Sequence, residues 1–164
     1  MTQDLSQALQ MVSRSHAGMV RTHNEDAVFT RVDVGLAVLA DGMGGYNAGE
    51  VASGMATAVI GAELERGLQD DRHNVSEMLE MVIGDANKAI YQAAESQPQY
   101  SGMGTTLVMG VFRDNHLSVA HIGDSRMYRL RGGAFEAVTR DHSLLQEQID
   151  SGMITEEDAR RSQN

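Results

Sequence analysis

Val34-Gly-Leu-Ala-Val-Leu-Ala40, followed without a break by Asp41-Gly-Met-Gly-Gly45, decides how this chain folds. An uninterrupted apolar run bounded by glycine and Asp-Gly predicts a strand buried on both faces. The ordinary reading of Asp41-Gly42 is a hairpin turn, because Asp-Gly is a favoured turn pair. A hairpin returns to a strand, however, and here the glycines lead into a helix start. Asp41 is therefore read as an acid delivered at the exit of a buried strand. Fifteen residues earlier, Arg21-Thr-His-Asn-Glu25-Asp26 supplies a second acidic cluster. Carboxylates brought together from neighbouring strand ends assemble a hard-metal site, and the glycines after Asp41 let backbone carbonyls and waters approach. Arg21 adds a planar, permanently charged fork suited to phosphate. Metal, water and phosphate together point to phosphoryl hydrolysis.

Outward from this centre, residues 11–20 and 27–33 are expected as strands flanking the loop that carries Glu25 and Asp26. Two long helices follow. One runs from Ala48 to Leu68, opened by the capping-box-like Asn47-Ala-Gly-Glu50, with Val51, Met55, Val59 and Ala62 at helical spacing. The other spans 75–95, opened by Asn74-Val-Ser-Glu77, with Leu79, Val82, Ile83, Ala86 and Ile90 on one face. Beyond Pro98 and Gly102-Met-Gly104, Thr105–Arg113 and His116–His121 read as strands joined at Asp114-Asn115. Met127–Arg131 and Phe135–Thr139 form a hairpin around Gly132-Gly133. Ser143-Leu-Leu-Gln146 and Thr155-Glu-Glu-Asp158 cap a helical tail. Strands, a helix pair, strands and a tail predict an α+β fold.

The composition narrows the function classes. At 164 residues the chain is expected to be one domain. Its net charge of −10 argues against nucleic acid or an anionic membrane as partner. With no cysteine there is no disulfide framework, no thiolate zinc site and no thiol nucleophile. No signal peptide and no membrane span are read, so a cytoplasmic location is expected. Gly42-Met-Gly44-Gly-Tyr-Asn47 lacks the third glycine of a dinucleotide fingerprint and any following Gly-Lys-Ser/Thr. The alternating ligands of an EF-hand are likewise absent.

Taken singly, Glu25 and Asp26 are ordinary loop charges, Arg21 a surface arginine, and Gly123-Asp124-Ser125-Arg126 another turn. Taken jointly and in order, they resemble the type 2C metal-dependent serine/threonine protein phosphatases, particularly compact bacterial members. The resemblance runs through Gly18-Met-Val-Arg21-Thr-His-Asn24-Glu25-Asp26-Ala27 and Ala40-Asp41-Gly-Met-Gly-Gly45. It continues through Gly49-Glu50-Val-Ala-Ser53, Gly102-Met-Gly104-Thr-Thr106, His121-Ile-Gly123-Asp124-Ser-Arg126 and Thr139-Arg-Asp141-His142.

The resemblance implies an antiparallel β-sandwich flanked by helix pairs, C-terminally incomplete in this chain, with metals at one end. Asp41 is implied to bridge two manganese or magnesium ions, with the Gly42 carbonyl as a further ligand. Glu25 and Asp26 would hold waters of the metal shell, Asp124 would help hold a third, weaker ion, and Arg21 would bind the substrate phosphate. Residues 143–162 match a flap beside the active site. Met43 stands where eukaryotic members carry a histidine that protonates the leaving group. Bacterial relatives frequently have Met here too, and His23, His121 and His142 read as structural or surface histidines. The implied partners are phosphorylated proteins and a cognate serine/threonine kinase. Two further metal-ligating aspartates are implied on strands beyond the flap, after the last residue of this sequence. A non-catalytic module that binds phosphoproteins or a partner chain is therefore the alternative.

Overall fold

The apolar run becomes the central strand of a sheet. In the computed structural model, which describes residues 4–45, 47–70 and 73–155, the run and the acidic turn form one strand, β2 (Leu36–Met43). Asp41 and Gly42 thus lie inside the strand and not beyond its end. β1 (Asp26–Arg31) pairs antiparallel with one edge of β2. The other edge pairs with β3 (Gly104–Thr105) and β4 (Leu107–Arg113). Leu39 opposes Val108 and Gly42 opposes Thr105, so no residue is inserted between them. The strand expected over Thr105–Arg113 is accordingly one ladder interrupted at Thr106. β5 (His116–Ile122) completes the order β1-β2-β4-β5. Asp114 and Asn115, which join β4 to β5, both have positive φ, as a two-residue hairpin turn requires.

Residues 11–20 do not form the expected strand. A strand exists only by pairing, and among the described residues this stretch has no ladder partner. Met19 and Val20 within it are more than nine-tenths exposed.

Helix α1 (Ala48–Gly67) lies against β1 and β2, and helix α2 (Val75–Ser96) packs on α1. The buried stripe of α1 is Ala48, Ala52, Ala56, Ile60 and Leu64, with Ser53 and Thr57 beside it. This is one position over from the Val51-Met55-Val59-Ala62 face that periodicity suggested. Small residues let the helix sit close to the sheet: a Cβ on Gly61 would lie 2.9 Å from the Phe29 ring. Val51 and Met55 are half-buried and pack with Met103, Ile90, Ala93, Ala94 and Tyr100, so α1 is covered on two sides. Asn47 makes no side-chain cap bond, because its backbone (φ −113°, ψ 17°) is not the extended conformation that aims the side chain at the first turn. Asn74 is extended, and its side chain accepts from the Ser76 amide at 2.9 Å.

The core joins Leu36 and Val38 of β2, Met109 and Val111 of β4, Ile60 and Leu64 of α1, and Leu79 and Val82 of α2. β2 is buried on this face only. Leu39 and Met43, pointing the other way, are exposed, since among the described residues the helices cover one side of the sheet.

At the far end of β1, Arg31 grips Asp33 with two hydrogen bonds of 2.9 and 2.7 Å and also pairs with Glu65 of α1. The hydrogen bonds from Arg31 lower the proton affinity of Asp33 below the ordinary carboxylate range. The stabilisation is therefore present above that range and is lost as pH falls through the lowered value. Both side chains are exposed, so the effect is small. Asp33→Asn is expected to shrink the gap between urea midpoints measured at pH 6 and pH 3; an unchanged gap would count against this linkage.

The chain divides into two compact units, Met1–His121 and Ile122–Asn164. The second holds the hairpin β6 (Tyr128–Arg131) and β7 (Ala134–Ala137), turned at Gly132-Gly133 with positive φ at both, and a short helix α3 (Leu144–Asp150). Tyr128 and Phe135 stack at 5.1 Å across the hairpin. Ser143 caps α3, its hydroxyl accepting from the Gln146 amide at 3.1 Å. The expected cap Thr155-Glu-Glu-Asp158 and the end of the 143–162 segment fall largely outside the described residues.

Candidate active site

The β1–β2 register sets Asp26 directly opposite Asp41. One residue on, the Gly42 amide donates to the Glu25 carbonyl at 3.0 Å. That makes Glu25–Gly42 a hydrogen-bonded pair and Asp26–Asp41 a narrow one, in which side chains share a face and α-carbons approach to roughly 4.5 Å. Like charges placed this way repel, so the arrangement invites a cation between strands.

Asp41 is held from the other edge by Thr106. The Thr106 amide donates to the Asp41 carbonyl at 2.9 Å, while the Asp41 amide donates to the Thr106 hydroxyl at 3.1 Å. The Thr106 carbonyl instead accepts from the Thr105 hydroxyl at 2.9 Å. A side-chain oxygen thus replaces one rung of the ladder at the acidic residue.

Gly42 faces α1. A Cβ there would lie 1.9 Å from the Gly49 carbonyl oxygen, so strand and helix meet backbone to backbone. A Cβ on Gly49 would lie 2.5 Å from Glu25 Oε1, which places the Glu25 carboxylate against the first turn of α1. The buried Ser53 hydroxyl donates to the Glu25 carbonyl at 2.6 Å and locks the two elements. Because side chains alternate along β1, Glu25 and Asp26 address opposite faces of the ladder.

Asp26 accepts from the Ser15 hydroxyl at 3.4 Å. Ser15 in turn accepts from Asn24 Nδ2 at 2.6 Å, and the Asp26 amide donates to Asn24 Oδ1 at 3.2 Å. These bonds order the loop in which Arg21 stands exposed. Asp124 lies in the second unit, exposed on a bend after β5. Arg126, two residues on, forks onto Asp141 with bonds of 2.8 and 2.6 Å. Those bonds, and next a hydrogen bond with Tyr128, raise the proton affinity of Arg126 above its ordinary value.

The donor set fits a hard divalent ion in kind, being all oxygen with no thiolate: two carboxylates that share a face of adjacent strands, a backbone carbonyl beside them, and Glu25, whose carboxylate lies on the other face against α1. It is partial in number, since among the described residues no group of three or more His, Cys, Asp or Glu side chains converges on one point. Waters would fill the remaining positions.

The family model described as Protein phosphatase 2C matches residues 14–160. This chain belongs to that family. Among its relatives, the serine/threonine protein phosphatase PstP of Mycobacterium tuberculosis is 40% identical over 153 residues, covering 92% of this chain and 28% of that protein. The serine/threonine phosphatase stp of Listeria innocua is 39% identical over 150 residues, covering 89% of this chain and 60% of that protein. The chain therefore spans less than two thirds of the length of these relatives, and little more than a quarter of PstP. In structure, it superposes on the PstP catalytic domain solved with two manganese ions at a TM-score of 0.78 and 40% identity, covering 89% of this chain and 61% of that one. The α+β architecture, with antiparallel strand pairs packed on helices, is thus the phosphatase 2C fold over the shared region.

Three supporting residues received no role from the sequence. Thr106, Ser53 and Gly49 all fall within the family-like motifs, but their work is to fix Asp41, Glu25 and Gly42. The signal was their small size beside the acids; their partners are distant in sequence.

Proposed function

We propose that the protein hydrolyses phosphoserine and phosphothreonine in proteins, using divalent manganese or magnesium. The observation that carries this is the Asp26–Asp41 pair, opposed in the narrow position beside the Gly42–Gly49 contact in a phosphatase 2C chain. Asp41, Asp26, Glu25 and the Gly42 carbonyl would hold the ions or their waters, and Asp124 would serve a weaker ion. Bound there, such ions acidify water and offset charge on phosphate oxygens. The chain itself contributes position and charge. Thr106 fixes the backbone of Asp41, Ser53 and Gly49 fix Glu25, and Arg21 orients the phosphate through its planar fork. No phosphoenzyme is needed in this reading. Opposition to a serine/threonine kinase and a cytoplasmic location complete the reading; among the described residues no helix is long and apolar enough to cross a membrane.

The test is hydrolysis of para-nitrophenyl phosphate and a phosphothreonine peptide by the full-length protein, with manganese and with chelator. Turnover is expected with manganese only. Arg21→Ala is expected to raise KM roughly tenfold or more, the worth of one charged hydrogen bond. Activity that survives chelator would overturn the metal reading. Phosphopeptide binding without turnover would instead favour a non-catalytic module.

A further inference from the structure

Asp124 has a support that no role yet explains. It sits between Gly123, whose φ of +92° marks a sharp turn, and the irregular residues 125–127. A residue so placed has no ladder of its own to fix it. Yet the backbone on both sides is held by one segment, residues 138–142. Before Asp124, the Gly123 carbonyl accepts from the His142 amide at 2.9 Å, and the Gly123 amide donates to His142 Nδ1 at 3.4 Å. After it, Arg126 places Nε on Asp141 Oδ1 at 2.8 Å and Nη2 on Oδ2 at 2.6 Å. The Met127 amide donates to the buried Thr139 hydroxyl at 2.9 Å, and the Val138 amide to the Met127 carbonyl at 2.8 Å.

We propose that Arg126 and Asp141 are positioning residues: their two-bond clasp holds the Gly123–Met127 loop so that Asp124 is presented in one orientation. The inference rests on the reading of Asp124 as a cation-holding residue. A paired fork and carboxylate carry no net charge together, so the clasp acts on Asp124 through geometry and not through its field. Lysine keeps the charge of Arg126 but has no fork to match both carboxylate oxygens. An electrostatic role would tolerate Arg126→Lys, and a positioning role would not. Asp141 is mostly covered and Arg126 about half exposed, and Arg126→Lys and Asp141→Asn each keep a hydrogen-bonding group at the clasp.

The experiment compares wild type, Arg126→Lys and Asp141→Asn in the full-length protein by three measurements. Amide hydrogen exchange is followed by mass spectrometry, the manganese concentration for half-maximal hydrolysis of para-nitrophenyl phosphate is determined, and the thermal midpoint is recorded. Both variants are expected to speed exchange about tenfold in peptides covering 122–127 and 138–142, leaving peptides of α1, β2 and β4 unchanged. The half-maximal manganese concentration is expected to rise several-fold, with KM for the phosphate ester within twofold of wild type. Arg126→Lys matching wild type in both exchange and manganese dependence would overturn the clasp. So would accelerated exchange spread over the whole chain, which marks a merely structural pair. If wild type shows no manganese-dependent turnover, the phosphatase reading fails, and local exchange still decides whether the clasp holds the loop.

Discussion

Changing Asp41 to asparagine is expected to lower turnover of the full-length protein by on the order of 10³ without harming its fold. The substitution keeps the side chain's shape. It leaves untouched the Asp41 amide and carbonyl, which are what Thr106 grips. What changes is charge. Asp41 opposes Asp26 in the narrow position of an antiparallel pair, where two like charges cost roughly 0.2–1 kcal/mol relative to a neutral pair. Removing one of them therefore does not lower the thermal midpoint in chelator. It does remove half of the facing negative charge, and divalent-ion affinity follows ligand charge and count. The signature is a divergence between two conditions. Wild type is expected to gain several degrees on adding millimolar manganese, because a ligand that binds only the folded state stabilises it. Asp41→Asn is expected to gain nothing and to keep only about a thousandth of the turnover. A variant that keeps both wild-type turnover and the manganese-induced shift would remove Asp41 from the metal site.

The sequence places Asp41 on its strand but at the strand's exit, whereas Asp41 lies inside β2. A period-2 or all-apolar pattern reports burial, so the run 34–40 announced a central strand. It could not report that the same strand would continue through Met43, because Asp-Gly is a turn signal unless a second strand takes its hydrogen bonds. β1 and β3 do so here, from residues as distant as Gly104 and Thr105. The same blindness to pairing explains residues 11–20, expected as a strand, which find no partner among the described residues. Helix α1 shows a different limit. Its larger apolar residues marked a face, but close approach to the sheet selected the alanines, glycines and serine one position away. The candidate acids themselves were legible because their chemistry is local. Thr106 and Ser53 were not assigned, since a hydroxyl's role is decided by which backbone group it meets. In this fold those groups lie 65 and 28 residues away.

Gly42→Ala is expected to be among the most damaging single-methyl additions in the first unit. The added Cβ would lie 1.9 Å from the Gly49 carbonyl oxygen, 2.4 Å from its carbon and 2.8 Å from the Glu25 carbonyl oxygen. All three are backbone atoms, so no rotamer change relieves the clash. The end of β2 must lift from α1, or the Glu25–Gly42 rung must break. Overpacking of this kind costs about 3 kcal/mol, which for a chain of this size lowers the thermal midpoint by roughly 10 °C. Either escape also changes the spacing of Asp41 from Asp26, so activity falls with stability. Gly49→Ala separates the two effects. Its nearest neighbour is Glu25 Oε1 at 2.5 Å, the end of a side chain that can swing, with the Gly42 carbonyl carbon next at 2.9 Å. It is expected to cost less stability than Gly42→Ala while still displacing the Glu25 carboxylate and lowering turnover. Gly45→Ala, where an added Cβ meets nothing within 4 Å, is the matched control and is expected to melt within about 2 °C of wild type. If Gly42→Ala melts with that control, strand and helix do not meet at these two glycines, and the backbone contact that sets Asp41 beside Glu25 is not what holds the site together.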